Sequence, residues 1–508
     1  MHGTSGRLAS SVISTRLSII TPVFDPPLGA FLACAESVLG QTHPDWQWCL
    51  VDDCSTRAEV RDALHDLATR DPRISVRWRD ENGGIVAASN DALDLADGDF
   101  VVLLDHDDAL VPTALADVVA ALDGPAGGDV DYLYTDEAHV LADGRESAHF
   151  LKPDWSPERF RSSMYTCHLS VLRRAVVDEV GGFRTGFDGS QDHDLILRVT
   201  EHIAAHGRRV AHVPVLAYHW RNISSSVSRA VSTLSRAVEN GRRAVQEQCD
   251  RLGIDATVEH GTVAGCYRVV RRPPAGTSVT IVVPTRLDES AQRPFALAAA
   301  PTLRAIAAGP EAAGLHVRLV VARPEGALAE LTQLLDDELT PEWHVATVAA
   351  DWSIAHAVDR ALTLYPADVA VVVAPGLVPR IDQTPDWLEA MVGLATSAGA
   401  GMAGAMIADR FDTVLHAGWD VPNYRWYELT GRKVGSTTSG NDLLIERECT
   451  QVSLAAAALT MAHWREFGHH ASGGFDDAGR RLSQALLDHG ARTLWTPYAR
   501  FDRAVAIA

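Results

Sequence analysis

The sequence has little lysine and no cluster of positive charge. Lys152 and Lys433 are the only lysines among 45 basic residues, and 66 acidic residues leave a formal net charge of −21. A surface of that sign repels both the phosphate backbone of nucleic acids and anionic lipid headgroups. Composition therefore predicts no nucleic-acid partner and no polybasic membrane anchor.

Paired cysteines and long apolar runs are also missing. The seven cysteines are odd in number, widely spaced and without a C-x-x-C pair, which argues against a disulfide framework and a structural zinc site. No uncharged apolar run reaches the roughly 18 residues of a membrane span. The first sixteen residues lack the apolar core of a secretion signal, so we expect a cytoplasmic protein.

What is present is an alternation of short apolar runs with amphipathic stretches. Residues 17–20, 48–51 and 100–104 have the pattern of buried parallel strands. Between them, residues 31–39 and 85–95 place apolar side chains on one helical face. This pattern predicts an α/β fold with a mostly parallel, Rossmann-like sheet.

The same pattern occurs twice in the 508 residues. The apolar run 279–284 resembles 17–22, and 368–379 aligns with 99–112 when a two-residue gap is allowed. The repeat predicts two tandem domains of one fold, with boundaries set by the amphipathic helix 233–252 and the linker-like 271–274. We expect an N-terminal extension over 1–16, a first domain over 17–228, a helical linker over 229–272 and a second domain over 273–508.

The two copies differ in their acidic residues. Aligned by sequence, Asp52 and Asp53 of the first copy meet Ala322 and Arg323 of the second, and Asp105 and Asp107 meet Ala374 and Gly376. The loss of these carboxylates predicts that the second copy is degenerate and non-catalytic.

The acidic run from Asp105 to Asp108 directly follows an apolar strand. Ligands bind at the carboxyl ends of the strands in open α/β sheets, and carboxylate oxygens favour Mg²⁺ or Mn²⁺. The alternative is an acidic turn in which one aspartate caps the next helix. Asp52 and Asp53 also end a strand, where they could accept hydrogen bonds from a nucleoside or cap a helix.

Two later positions are candidates for chemistry. Asp192 begins an amphipathic helix and is a candidate general base, although acids in a first helical turn also interact favourably with the helix dipole. His219 could bind a metal or hydrogen-bond within the core. No G-x-G-x-x-G motif follows the first strand, which argues against a dinucleotide-dependent dehydrogenase.

As an ordered set, these motifs resemble the family-two glycosyltransferases, whose nucleotide-binding domain has the GT-A fold. The resemblance rests on residues 22–25, 37–42, 51–55, 82–90, 104–108 and 191–192. Residues 134–137, 151–157 and 218–221, with 385–389, 415–418 and 495–498 of the second half, resemble two-domain bacterial enzymes of O-antigen and cell-surface polysaccharide assembly.

The resemblance implies a role for each matching residue. Asp192 would be the catalytic base, and Asp107 with His219 would hold Mn²⁺ or Mg²⁺. The donor would contact ten residues, namely Pro22, Phe24, Asp25, Asp52, Asp53, Asn82, Gly83, Asn90, Asp105 and His106. The acceptor side would comprise Asp136, Glu137, Trp155, Gln191, Asp194, Arg198 and Trp220, and Gln191 stands where the family commonly has glutamate.

The implied reaction is metal-dependent, inverting hexosyl transfer from a UDP-, GDP- or dTDP-sugar to a saccharide or lipid-linked saccharide. Such an acceptor implies peripheral association with the inner face of the cytoplasmic membrane or with a protein complex. Two alternatives remain: a metal phosphohydrolase that uses Asp105 and Asp107, and a non-catalytic scaffold that binds glycan or nucleotide.

Overall fold

The computed structural model describes residues 15–141, 144–221, 231–285, 292–309, 314–325, 342–349, 352–420, 429–438 and 440–504, with 333 and 337. Residues 1–14 of the predicted extension and the predicted boundary at 228–229 lie outside these ranges. The chain forms two compact units: the first comprises residues up to 155 and 164–248, and the second comprises 156–163 and everything from 249 onwards.

The first half of the first unit is a parallel βα arrangement. Strands β1 (Leu17–Val23), β2 (Trp46–Asp52), β3 (Ile74–Trp78) and β4 (Phe100–Leu103) pair in parallel in the order β3-β2-β1-β4. Helices α1 (Leu28–Leu39), α2 (Ala58–Arg70) and α3 (Gly84–Leu95) connect them. The predicted α/β alternation is confirmed, because the apolar runs are the buried strands.

Antiparallel pairing extends the sheet beyond β4. Strand β8 (Ser170–Arg173) pairs antiparallel with β4 and with β6 (Val130–Val140). Strand β9 (Arg209–Arg221) runs parallel to β6 and pairs with the short β5 (Ala109–Leu110), and β7 (Glu146–Phe150) pairs with β6. These pairings bring residues from distant parts of the sequence to the end of β4.

The remaining helices of this half of the chain are α4 (Ala114–Leu122), α5 (Pro157–Ser162), α6 (Arg174–Glu179), α7 (Gln191–Ala205) and α8 (Val231–Arg251).

The second unit repeats this topology. Its main sheet has the order β14-β13-β12-β15-β20-β17-β21-β16, which matches β3-β2-β1-β4-β8-β6-β9-β5 position by position. The predicted tandem repeat of one fold is therefore confirmed. The strands are β12 (Ser278–Pro284), β13 (His316–Pro324), β14 (Trp343–Val348), β15 (Val369–Val373), β16 (Leu377–Pro379), β17 (Ala400–Asp409), β18 (Val414–His416), β19 (Arg447–Glu448), β20 (Ala456–Thr460) and β21 (Arg492–Arg503). The helices are α9 (Gln292–Ala307), α10 (Ile354–Leu364), α11 (Trp387–Ala395), α12 (Met461–Phe467) and α13 (Phe475–Asp488).

Two details differ from the sequence analysis. The predicted helical linker is helical only to Arg251, and the hairpin of β10 (Ala256–His260) and β11 (Tyr267–Arg271) follows. Helix α5 belongs to the second unit although it lies in the first half of the chain. In the part of the chain that the structure describes, no helix combines the length and apolarity needed to cross a bilayer.

Strand register also shifts the alignment of the two copies by one residue. Pro22 pairs with Val51, and Pro284 pairs with Ala322. Ala322 is therefore the counterpart of Val51, so that Asp52 and Asp53 correspond to Arg323 and Pro324. The sequence alignment was wrong by one position here, but the loss of both carboxylates stands.

Candidate active site

Two aspartates and a histidine meet beyond the carboxyl end of β4. Asp105 and Asp108 lie in the turn between β4 and β5, and His168 lies just before β8, the antiparallel neighbour of β4. One potential ligand atom from each of the three residues lies within 4.8 Å of the other two. Two carboxylate oxygens and an imidazole nitrogen form a donor set that suits a divalent cation.

Asp108 is held rigidly within this group. Its carboxylate accepts hydrogen bonds from the Tyr218 hydroxyl and the Arg221 backbone N–H, both at 2.7 Å. The side chain is nearly inaccessible, with 1% of the residue exposed. Burial, reinforced by the negative charge of Asp105, raises the pKa of Asp108 to about 7. A bound cation would favour the ionised form.

The structure groups different ligands from the predicted pair Asp107 and His219. The His219 Nε2 atom lies 3.1 Å from the Oε1 atom of Glu146 on strand β7, so its ring is directed to that carboxylate. Asp107 is half-buried, and burial raises its pKa. Neither residue belongs to the Asp105, Asp108 and His168 group.

Asp53 organises the loop that precedes α3. Its two carboxylate oxygens each accept a backbone N–H at 2.8 Å, from Gly83 and Gly84, and the Arg79 Nε atom lies 2.9 Å away. Asn82 donates its side-chain amide to the Asp53 carbonyl at 3.1 Å. Hydrogen bonds thus connect Asp53 with Asn82 and Gly83. Their predicted contacts with a nucleotide-sugar donor remain predictions.

Other predicted donor residues also support the backbone. Asp52 accepts the Ser55 N–H at 3.3 Å. Although partial burial opposes it, hydrogen bonds from Thr56 and Arg57 hold the pKa of Asp25 below its usual value. Both groups of the Asn90 amide bond the backbone of Phe183, at 2.9 Å each. These geometries give Asp25, Asp52 and Asn90 structural roles.

Phe24 and His106 lie at the same edge of the sheet. The His106 Nδ1 atom lies 3.1 Å from the carbonyl oxygen of Pro22, the penultimate residue of β1. Phe24 follows β1 and remains 45% exposed. An exposed aromatic ring beside a strand end is available to stack against a planar ligand.

Asp192 opens α7 and is partly exposed. Its carboxylate accepts the His193 N–H at 2.8 Å. Burial, followed by the negative charges of Glu137 and Asp192, raises the pKa of the Cys167 thiol. Cys167 precedes His168 in the chain. The charge of Asp192, the candidate base, therefore acts on the loop that carries His168.

The predicted acceptor residues divide into exposed and internally bonded groups. Trp220 is 40% exposed, and its ring centroid lies 6.2 Å from that of His168. The six others make internal contacts. Asp136 accepts the Lys152 N–H, Glu137 pairs with the buried Lys152 ammonium, Gln191 accepts the Gly189 N–H, and Asp194 is ion-paired to Arg198. Trp155 packs edge-on against Tyr132.

Sequence reasoning assigned no role to His168, Tyr218 or Arg221. His168 stands in no recognisable motif, and its proximity to Asp105 depends on the pairing of β8 with β4. Tyr218 and Arg221 flank the two residues that were predicted, His219 and Trp220, on β9. The one signal that could have identified Tyr218 and Arg221 was their position next to these two predicted residues.

The equivalent positions of the second unit carry no side chain that could bind a metal ion. The turn after β15 contains Ala374 and Gly376. Strand register pairs Val369 with Thr460 as it pairs Phe100 with Arg173, so the counterpart of His168 is Ala455. The predicted degeneration of the second copy therefore extends to a ligand position that sequence comparison did not identify.

Residues 18–181 match the family model for glycosyl transferase family 2. The chain is 34% identical over 413 residues to the uncharacterized protein y4gI of Sinorhizobium fredii, covering 79% of this chain and 43% of that one. It is also 34% identical over 423 residues to the O-antigen biosynthesis protein RfbC of Myxococcus xanthus, covering 82% of this chain and 31% of that protein.

The chain thus spans less than half the length of these two relatives. Among solved structures, S. aureus TarS 1-349 in complex with UDP-GlcNAc matches with a TM-score of 0.36 and 20% identity, over 46% of this chain and 66% of that one. Such a low TM-score adds nothing to the family match. Residues 18–181 therefore form a domain of glycosyl transferase family 2.

Proposed function

We propose that the first unit is a metal-dependent, inverting glycosyltransferase. It transfers a hexosyl group from a nucleotide-sugar to a hydroxyl group of a growing cell-surface glycan or glycolipid. The observation that carries the proposal is the grouping of Asp105, Asp108 and His168 at a strand end, in a domain of this family. The name of the Myxococcus relative, an O-antigen biosynthesis protein, supports the acceptor class.

The three grouped residues would hold Mn²⁺ or Mg²⁺. The fit rests on their donor atoms, two carboxylates and one imidazole within 4.8 Å. When bound, the cation neutralises negative charge on the departing nucleoside diphosphate. Phe24, exposed at the end of β1, is the aromatic surface for the nucleoside.

Asp192 is the base in this proposal. Its carboxylate accepts the proton of the acceptor hydroxyl as that oxygen attacks the anomeric carbon on the face opposite the leaving group. One displacement inverts the anomeric configuration, and one carboxylate suffices because the diphosphate leaves without a proton donor. The exposed Trp220 ring supplies a surface for the acceptor sugar. We place the reaction in the cytoplasm, at the inner face of the membrane when the acceptor is lipid-linked.

Calorimetric titration of UDP, GDP and dTDP, with and without Mn²⁺, tests donor binding. We expect one nucleotide to bind in the presence of Mn²⁺ and Asp105→Asn to abolish that binding. Asp62→Asn, a matched change of an exposed residue on α2, should bind as the wild type does. Nucleotide binding that needs no metal and survives Asp105→Asn would contradict the metal assignment, and the absence of any binding would contradict the proposed function.

Asp192→Asn separates catalysis from binding. The variant should keep Mn²⁺-dependent nucleotide affinity and lose about 10²- to 10⁴-fold in turnover, measured as release of nucleoside diphosphate with acceptor present. The anomeric configuration of the product, read by NMR, tests inversion. Unchanged turnover in Asp192→Asn would remove Asp192 from the mechanism.

A further inference from the structure

The second unit contains a cleft of about 440 Å³ on one side of helix α13, lined mostly by residues with polar side chains. Its lining includes Arg480, Arg481 and Gln484 of that helix, His469 and His470 of the preceding 3₁₀ turn, and Gln451. The volume lies within the range of about 300–1,000 Å³ that is typical of small-molecule sites. Every lining residue lies within the second unit.

The concave shape follows from the helix sequence. Arg481, Ala485 and His489 are four residues apart and lie in one row along α13 and its end. Ala485 is a short side chain between two long ones, so the row is open in its middle. All three residues line the cleft. A solvated helix face of the ordinary kind would be convex along this row.

The cleft concentrates positive charge and hydrogen-bond donors in a protein of net charge −21. Arg480 and Arg481 line it together with three histidines and a single acid, Asp488. Asp488 accepts a hydrogen bond from the Gln484 amide at 2.8 Å. Arg481 donates to the Ser472 hydroxyl at 2.8 Å, and Arg480 lies 3.1 Å from Asp477. A guanidinium carries five N–H donors, so one such contact uses a fraction of its capacity.

We propose that this cleft binds an acidic saccharide. Arginine recognises carboxylate and phosphate groups through paired N–H donors, which suits the anionic group. The amides of Gln451 and Gln484, the Ser472 hydroxyl and the Asp488 carboxylate suit sugar hydroxyls, because together they offer donors and acceptors. The cleft gives the second unit a binding role that its lost ligand positions do not provide, and it does not depend on the transferase activity of the first unit.

Titration of the intact protein with three probes tests the proposal. The probes are a trimer of galacturonate, the neutral trimer maltotriose, and inorganic phosphate. We expect the uronate trimer to bind at least tenfold more tightly than either of the others. Equal binding of inorganic phosphate would show a plain anion site and overturn the saccharide assignment. Equal binding of maltotriose would overturn the anionic assignment.

Variants locate the binding. Arg480→Gln combined with Arg481→Gln should weaken uronate binding at least tenfold, and His469→Ala combined with His470→Ala should weaken it by a smaller factor. Arg360→Gln combined with Arg465→Gln, a matched change of exposed arginines in the same unit, should have no effect. Uronate binding that survives the first pair would overturn the proposal. Mn²⁺-dependent nucleotide binding in the same samples reports separately on the first unit.

Discussion

At the scale of single residues, burial and the charge of Asp105 disfavour the ionised form of Asp108. It is buried beside Asp105 and is fixed by Tyr218 and Arg221. Its pKa of about 7 means that the fold disfavours the ionised form. A bound cation would offset this cost, because it would stabilise the ionised carboxylate.

The raised pKa of Asp108 predicts a pH-dependent stability. Between about pH 4 and pH 7 the folded protein binds more protons at Asp108 than the unfolded chain does. The free energy of unfolding of the metal-free protein therefore falls as pH rises through this window. Asp108→Asn cannot ionise and should lack that contribution, which urea unfolding over a pH series would measure.

Asp62→Asn serves as the control for that series and should follow the wild type. Parallel pH profiles of wild type and Asp108→Asn would show that Asp108 ionises normally in the fold. Added Mn²⁺ should reverse the sign of the effect, because the metal competes with the proton for the same carboxylate.

At the scale of elements, helix α5 shows how a short segment can depend on distant partners. It begins after Ser156, whose hydroxyl accepts the Arg159 N–H at 3.3 Å, and Pro157 occupies its first turn. Glu158 is buried and contacts Arg271 and Arg492. Although burial opposes ionisation, the charges of Arg161, Arg271 and Arg492 hold the pKa of Glu158 well below its usual value.

Removing this carboxylate should destabilise the second unit. Glu158→Ala removes charged hydrogen bonds to Arg271 and Arg492, but Arg271 keeps Glu446 and Arg492 keeps Glu448, so we expect a loss of about 1.5–3 kcal/mol in the free energy of unfolding. Glu466→Ala, an exposed glutamate of the same unit, should change it by about 0.5 kcal/mol or less. Denaturant unfolding of both variants measures these free energies. Equal effects would mean that solvent reaches the charges around Glu158.

The elements that sequence predicted are those with local signals. Helix α3 and strands β1 and β4 follow from apolar spacing, and the acidic turn after β4 follows from its place at a strand end. Helix α5 and His168 have no such local signal. Glu158 bonds Arg492 across 334 residues of sequence, and His168 joins Asp105 through the pairing of β8 with β4, which periodicity does not reveal.

At the scale of the whole molecule, one topology carries two different sets of residues at the end of its central strand. Both main sheets have the same strand order, yet the ligand positions Asp105 and His168 correspond to Ala374 and Ala455. Buried strands and crossovers are maintained by packing alone, so a fold can persist after its catalytic residues are lost.

This asymmetry predicts one nucleotide site per chain. Calorimetric titration of the Mn²⁺-bound protein should give a stoichiometry of one, because the second unit lacks the carboxylates and the histidine. Asp105→Asn should reduce it to zero. A stoichiometry of two, or a full equivalent of binding that remains in Asp105→Asn, would assign a nucleotide site to the second unit.

The placement of α5 also limits how the chain can be divided. The family match ends at residue 181 and includes this helix, but Arg271 and Arg492, which pair with Glu158 of the helix, follow much later. A fragment cut after the matched residues would expose Glu158 and Arg159 together with the apolar face of Phe160. The smallest autonomous folding piece of this protein is therefore larger than the domain by which its family is recognised.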